Sequence, residues 1–256
     1  MKKNLLIFVS AIFFIAFVSS CKNTTSDKTA EGTEEGTTET TSEDDAWTVL
    51  FDGTSTEGWR GYNKESFPKG WIIEDGALKC NGSGRGEAGA EEGGDVIYDK
   101  KFSNFHLKLE WKISEGGNSG IFYLGQEVEG QPIYATAPEM QVLDNERHPD
   151  AMLGKDGNRQ AGSLYDLIPA KPQNAKPAGE WNSVEIIVYK GTVVHKQNGE
   201  TVVEYHLWTP DWEELVAGSK FPGINENWAK VATEGYIALQ DHGDDVWYRN
   251  IMIKEL

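Results

Sequence analysis

Residues 138–148 read P-E-M-Q-V-L-D-N-E-R-H. Met140, Val142 and Leu143 have the character of a buried strand, yet Glu139, Gln141 and Asp144 interrupt them, and His148 and Asp150 follow at once. A carboxylate or amide in an apolar setting is costly unless it is hydrogen-bonded, paired or bound to a metal. A Glu, Gln, Asp and His within ten residues can form an acid/base set or a cation site. On a regular strand Glu139, Gln141 and Leu143 share a face and Asp144 points away. A bulge near Leu143 is expected to bring Asp144 back to the polar side. The alternative is the polar end of a strand facing water.

A second group sits in "ALQDHGDDVWYRN", where Gln240 closes one apolar run and Arg249 lies in the next. Asp241, His242, Asp244 and Asp245 occupy the connection, and carboxylates so close either raise the pKa of an imidazole or share a cation with it. Arg249, flanked by Tyr248 and Asn250, is suited to hold a carboxylate or a sugar hydroxyl, or else to pair with Glu139 or Asp144. In "EGGNSGIFYLG" glycines flank Asn118 and Ser119, which allows close backbone approach to a ligand or simply a tight turn. "GSLYDLIPA" offers Tyr165 and Asp166 from a long connection. Trp208 and Trp228, in loops, are candidates for stacking on a sugar ring.

These residues need a frame, and the chain's period of two supplies it. In "NFHLKLEWKI" Phe105, Leu107, Leu109, Trp111 and Ile113 take one face, and His106, Lys108, Glu110 and Lys112 the other, the pattern of a half-buried antiparallel strand. Residues 183–190, 201–206, 235–240 and 246–254 read the same way. Asn198-Gly199 is a hairpin signal. Residues 209–218 alone read as helix, with Thr209 at the cap, Pro210 in the first position and Gly218 at the end. Many short strands joined by Gly-rich turns predict a two-sheet antiparallel sandwich. Segments 82–94 and 144–182 are expected to be long functional loops.

The N-terminus addresses the compartment. Lys2 and Lys3 precede an apolar run from Leu5 to Val18, which is too short for a comfortable membrane span. It ends in Val18-Ser19-Ser20-Cys21, which resembles a bacterial lipobox with Cys21 lipidated. Residues 1–21 thus read as a lipoprotein signal peptide, and the expected location is the cell envelope, on the periplasmic or surface side of the outer membrane, with membrane contact through the lipid alone. Residues 22–45 are rich in Thr, Ser and Glu, without a large apolar side chain, and are expected to form a disordered tether. The formal charge of the chain is −17; the basic start contributes +2 and the tether −6, which leaves −13 on residues 46–256. Such a domain lacks the basic footprint that nucleic acid requires. About 210 residues suffice for a single domain with one large core. Past residue 21 the one cysteine is Cys80, whose apolar neighbours predict a buried, inert thiol.

"LFDGTSTEGW", "GGNSGIFY", "PEMQVLDNERHPDA", "GSLYDLIPA", "GEWN", "SKF", "GYIALQDHG" and "YRNIMIKEL" occur in this order. Together they resemble the 3-keto-disaccharide hydrolase family over roughly residues 47–256. The resemblance implies an all-β fold, a concanavalin A-like jelly roll, with a carbohydrate site on its concave sheet. It also implies cleavage of a sugar already oxidised at C3. The ketone acidifies the C2 proton, a base removes it, and the glycosidic oxygen, β to the carbonyl, leaves; water then adds. Such chemistry requires a base, an acid, and positive charge or donors at the enolate oxygen. On this reading Glu139 and His242 are the acid/base residues, and Asn118, Gln141, Tyr165, Gln240 and Arg249 bind the substrate. Asp144 and His148 are ligands, or support ligands, for a divalent ion such as Ca²⁺, Mn²⁺ or Zn²⁺. Two further classes fit the same residues: a conventional glycoside hydrolase, for which "EMQVLD" distorts a Glu-x-Asp-x-x-Glu strand motif, and a non-catalytic carbohydrate-binding module.

Overall fold

The computed structural model describes residues 46–83 and 92–256. The expected signal peptide, Cys21, the tether and most of the 82–94 loop lie outside the described residues.

Two antiparallel sheets face each other across an apolar core. The larger has the order β11 (Glu200–His206), β10 (Thr192–Gln197), β9 (Asn182–Tyr189), β6 (Phe105–Ile113), β13 (Val246–Glu255), β4 (Ala77–Cys80), β3 (Trp71–Glu74), with β1 (Thr48–Phe51) pairing β13. The smaller runs β2 (Trp59–Gly61), β5 (Val96–Tyr98), β12 (Tyr236–Leu239), β7 (Asn118–Gly125), β8 (Glu139–Leu143). This is the sandwich that period-two alternation predicts. In β6 the burial alternates residue by residue, with Phe105, Leu107, Leu109, Trp111 and Ile113 inward. Asn198 and Gly199 join β10 to β11 with φ of 49° and 87°, the left-handed pair that suits a two-residue hairpin. The single α-helix of the described residues, α1 (Pro210–Ala217), starts at Thr209, whose hydroxyl accepts the Trp212 N–H at 3.2 Å, and ends at Gly218. Cys80 is fully buried in the core, and burial pushes its thiol pKa up.

The smaller sheet positions the site. Met140 and Val142 of β8, with Ile121 and Tyr123 of β7, point into the inter-sheet core. The opposite face carries its own apolar cluster of Ile97, Phe122 and Ala238, covered by Ile133 and Ala137 from the β7–β8 connection. Beyond that cluster the face turns polar. The long connection after β8 is ordered, because residues 162–165 line up along β8 as an extra edge segment. Gln141 donates its backbone N–H to Ser163 at 3.1 Å and accepts that of Gly162 at 2.8 Å, and Tyr165 donates to the Glu139 carbonyl at 3.0 Å. These bonds satisfy backbone groups that β8 would otherwise leave open at the sheet edge. Among the described residues no helix is long and apolar enough to cross a membrane.

Candidate active site

A cleft of about 700 Å³, counted with its open mouth, lies over the β7–β8 end of the smaller sheet. Asn118, Glu139, Gln141, Gln240 and His242 form one side; Tyr134, Ala137, Phe221 and Ile224 form an apolar side, and Tyr165 and Lys220 complete the lining. Six residues expected at a substrate site, Asn118, Glu139, Gln141, Tyr165, Gln240 and His242, thus line one cavity.

Strand register brings the first three together. Asn118 pairs with Leu143, Gly120 with Gln141 and Phe122 with Glu139 across β7 and β8. Glu139 and Gln141 lie on the same face, opposite Met140 and Val142, which explains how one strand is both core and site. Gln141 donates from Nε2 to Asn118 Oδ1 at 3.0 Å, and Asn118 Nδ2 meets His242 Nε2 at 3.3 Å. With the Asn118 oxygen turned to Gln141, its amide N–H donates to His242 Nε2. The lone pair is therefore on Nε2 and the ring proton on Nδ1. Gln141 is almost wholly buried, and its Oε1 has no protein partner. A buried carbonyl lining a cavity in this state is an acceptor awaiting a donor.

The turn carrying His242 is built by its neighbours. Asp241 accepts backbone N–H groups from Gly94 at 2.7 Å and Gly243 at 2.9 Å. Asp244 accepts the Asn118 N–H at 3.0 Å, and Asp245 accepts that of Gly82 at 2.7 Å. Burial lowers the His242 pKa; the Asp244 charge opposes the shift and nearby His148 reinforces it. His242 is accordingly neutral near pH 7.

Three placements differ from expectation. Arg249 lies on the outer face of the larger sheet, where it pairs with Glu110 at 2.6 Å and stacks over Trp181 at 3.9 Å. It meets neither the cleft nor Glu139 nor Asp144, because in β13 it alternates with Tyr248, which takes the inward position. No bulge turns Asp144 toward the cleft. Its carboxylate accepts the backbone N–H groups of Gly116 at 2.8 Å and Glu146 at 3.0 Å. Burial would raise its pKa, but these bonds and Arg147 leave it below the usual value. Asp144 thus holds the turn beside β8. The third difference concerns the donors for a cation: His148, His242 and Asp244 place ligand atoms within 4.8 Å of one another, without Asp144. His148 Nδ1 accepts the Asp150 N–H at 3.1 Å, which puts the ring proton on Nε2 in the neutral imidazole.

Four of the larger lining side chains had no role assigned from sequence. Phe221, stacked at 3.9 Å on buried Trp228, and Ile224 come from the turn after α1; Tyr134 comes from the β7–β8 connection. Trp228 therefore backs the apolar wall instead of facing a sugar, and Trp208 donates to the Val231 carbonyl outside the cleft. Lys220, signalled only by "SKF", donates to the Tyr165 hydroxyl at 3.1 Å.

A sheet face with a floor of amides, a carboxylate and a neutral imidazole, opposite an apolar wall, defines a sandwich protein built to hold a carbohydrate-like ligand. Its relatives narrow that class. Residues 46–254 match the family described as 3-keto-alpha-glucoside-1,2-lyase-like domain, and the chain belongs to it. It is 56% identical over 229 residues to a 3-keto-disaccharide hydrolase of Bacteroides thetaiotaomicron, covering 83% of this chain and 79% of that protein. Among solved structures, a Parabacteroides distasonis protein provisionally described as a glycosyl hydrolase aligns with a TM-score of 0.70 at 29% identity, over 82% of this chain and 94% of that one. A second protein from the same organism, described alike, aligns at 0.63 and 28%, over 82% and 100%.

Proposed function

We propose that the protein cleaves 3-keto-glycosides, 3-keto-disaccharides among them, by elimination through an enolate followed by hydration. The observation that carries this reading is that Glu139 is the one carboxylate lining the cleft among the described residues. Conventional retaining and inverting glycosidases use two carboxyl groups, about 5–5.5 Å or 6.5–9.5 Å apart. An elimination needs one proton shuttle, donors at the enolate oxygen and a base for water. The supply of a 3-keto substrate is supported by the name of the 56% identical relative.

In the elimination, Glu139 takes the C2 proton, the C2–H electrons form the C2=C3 bond, and the C3 carbonyl becomes an enolate. Collapse of the enolate expels the C1 substituent, whose oxygen receives the proton back from Glu139. In the hydration, neutral His242 exchanges the Asn118 N–H at its Nε2 for a water and takes that water's proton as the oxygen adds to C1 of the enone. The new enolate is then protonated at C2 by the imidazolium. Asn118, Gln141 and Gln240 hold sugar hydroxyls, with Gln141 Oε1 as acceptor. The test compares a 3-keto-glucoside with its unoxidised parent in deuterated, ¹⁸O-labelled water. Cleavage of the keto sugar alone, with deuterium at C2 and labelled oxygen at C1, is expected. Equal rates on both sugars would overturn the mechanism. A non-catalytic module would bind both without turnover.

The spacing of His148, His242 and Asp244 favours a second reading, in which these residues would hold a divalent ion such as Zn²⁺ or Mn²⁺ that would supply Lewis-acid polarisation of the carbonyl. The proton on His148 Nε2 speaks against that nitrogen as a ligand. Metal analysis and activity after chelation separate the readings: loss of turnover on chelation, restored by the ion, selects the second.

The lipobox-like Val18-Ser19-Ser20-Cys21 supports a lipid-anchored enzyme of the cell envelope.

A further inference from the structure

We propose that Lys220 is a catalytic residue whose ammonium group holds the C3 oxygen as it becomes an enolate; the assignment rests on the elimination reading above. That oxygen gains a full negative charge in the same cleft as Glu139, on a chain of net charge −17. Neutral amides offer only dipoles to such a charge, whereas a positioned cation meets it with a full opposite charge. Among the described residues lining the cleft Lys220 is the one lysine or arginine. Arg249, expected from sequence to bind the substrate, is on the larger sheet. Arg159 is engaged with Asp150 at 2.9 Å and Asp166 at 2.5 Å and does not line the cleft.

Lys220 is also prepositioned. Its Nζ donates to the Tyr165 hydroxyl at 3.1 Å, lies 4.3 Å from the centre of the Tyr165 ring, and has Asp166 at 3.7 Å. The Tyr165 hydroxyl spends its own proton on Asp150 at 2.9 Å, so its oxygen is free to accept from the lysine. An ammonium group has three N–H donors. One goes to Tyr165 and the Asp166 contact is too long for a hydrogen bond, so a donor remains for a substrate oxygen. Tyr165 in turn hangs by its backbone N–H from the Glu139 carbonyl at 3.0 Å. Tyr165 therefore links the cation to the strand that carries the proton shuttle.

The test uses the whole protein with a 3-keto-glucoside. Lys220→Met keeps the length and removes the charge; Lys220→Arg keeps the charge; Tyr165→Phe keeps the lysine and removes its anchor. If Lys220 holds the enolate oxygen, Lys220→Met lowers kcat by about 10²–10³-fold and slows deuterium entry at C2, with KM changed far less. Lys220→Arg restores much of the loss, and Tyr165→Phe falls in between. Three outcomes overturn the assignment: kcat of Lys220→Met within about threefold of wild type, a change in KM alone, or equal losses in the Met and Arg variants. If wild type itself cleaves keto and parent sugars at equal rates, the elimination reading falls first and this assignment with it; a keto-selective wild type with an unimpaired Met variant defeats the assignment alone.

Discussion

A Cβ atom placed on Gly120 would sit 2.1 Å from Oε1 of Glu139, with Cδ at 2.7 Å and Cγ at 2.8 Å. The bare backbone of β7 is the bed on which the Glu139 carboxylate rests, and the Gly120 carbonyl also accepts the N–H of Gln240 at 3.0 Å. Gly120→Ala should leave the sandwich intact, because the obstruction is the end of a flexible side chain, but should push the carboxylate off its position. A displacement of about 1 Å can cost roughly 10²-fold in rate. The expected result is a fall in kcat of that order with melting temperature and KM little changed. An unaltered kcat would show that the carboxylate's place is unimportant.

Glu139→Gln and His242→Gln should each reduce turnover on a 3-keto-glucoside by about 10²–10⁴-fold. Binding should persist, read from tryptophan fluorescence through the Trp228–Phe221 stack. The pH profile separates the two roles. Burial lowers the His242 pKa from the 6.5 of a free imidazole. As a base it fails when protonated, so activity should hold as pH falls through 6.5 and decline only below it. That acid limb should be absent from the residual activity of the His242 variant. An acid limb above 6.5 would contradict the burial argument.

Much of this site is legible from residue types and spacing, and the reasons are local. Alternation fixes which side of β8 faces the core, so their spacing alone groups Glu139 with Gln141. A turn crowded with carboxylates marks His242. What sequence does not reveal is the partner of each group across the sheets. Arg249 looks like a ligand-holding residue until β13 is placed in the larger sheet with Glu110 beside it. Asp144 looks like a site carboxylate until the backbone of Gly116 is seen to occupy it. Lys220, Phe221 and Ile224 follow α1 in a short turn with no periodicity, and only folding carries that turn to the cleft over β7 and β8.

The N-terminal reading has a direct test. If Cys21 is the first residue of the mature chain, mass spectrometry of protein extracted from membranes should find acyl chains on it and no residue before it. Two acyl signals anchor stably where one does not. Cys21→Ser should release the protein from the membrane fraction without altering the catalytic domain. A free amine at any other residue, without acyl chains, would refute the anchor.

His195 of β10 is fully buried between the sheets. Its Nε2 meets the Tyr123 hydroxyl at 2.8 Å, which meets that of Tyr205 at 2.7 Å, and its Nδ1 meets the Gly162 carbonyl at 3.1 Å. One neutral tautomer satisfies the whole chain: Nδ1–H donates to Gly162, Tyr123 donates to Nε2, and Tyr205 donates to Tyr123. Protonation would put a second donor against Tyr123 and a charge in the core. Burial accordingly pulls the pKa from 6.5 to about 4. Between those values the unfolded chain binds a proton that the native chain refuses, so stability must fall as pH drops from 6.5 and finish falling near 4. A shift of this size corresponds to roughly 3 kcal/mol. His195→Gln keeps a donor and an acceptor but cannot titrate. Urea unfolding of both proteins between pH 7 and pH 4 should show wild type losing about 3 kcal/mol more than the variant. Because Gly162 also donates its N–H to the Gln141 carbonyl at 2.8 Å, the same acid transition should loosen the floor of the cleft before global unfolding. Parallel pH dependences in the two proteins would mean that His195 is not the group that acid attacks.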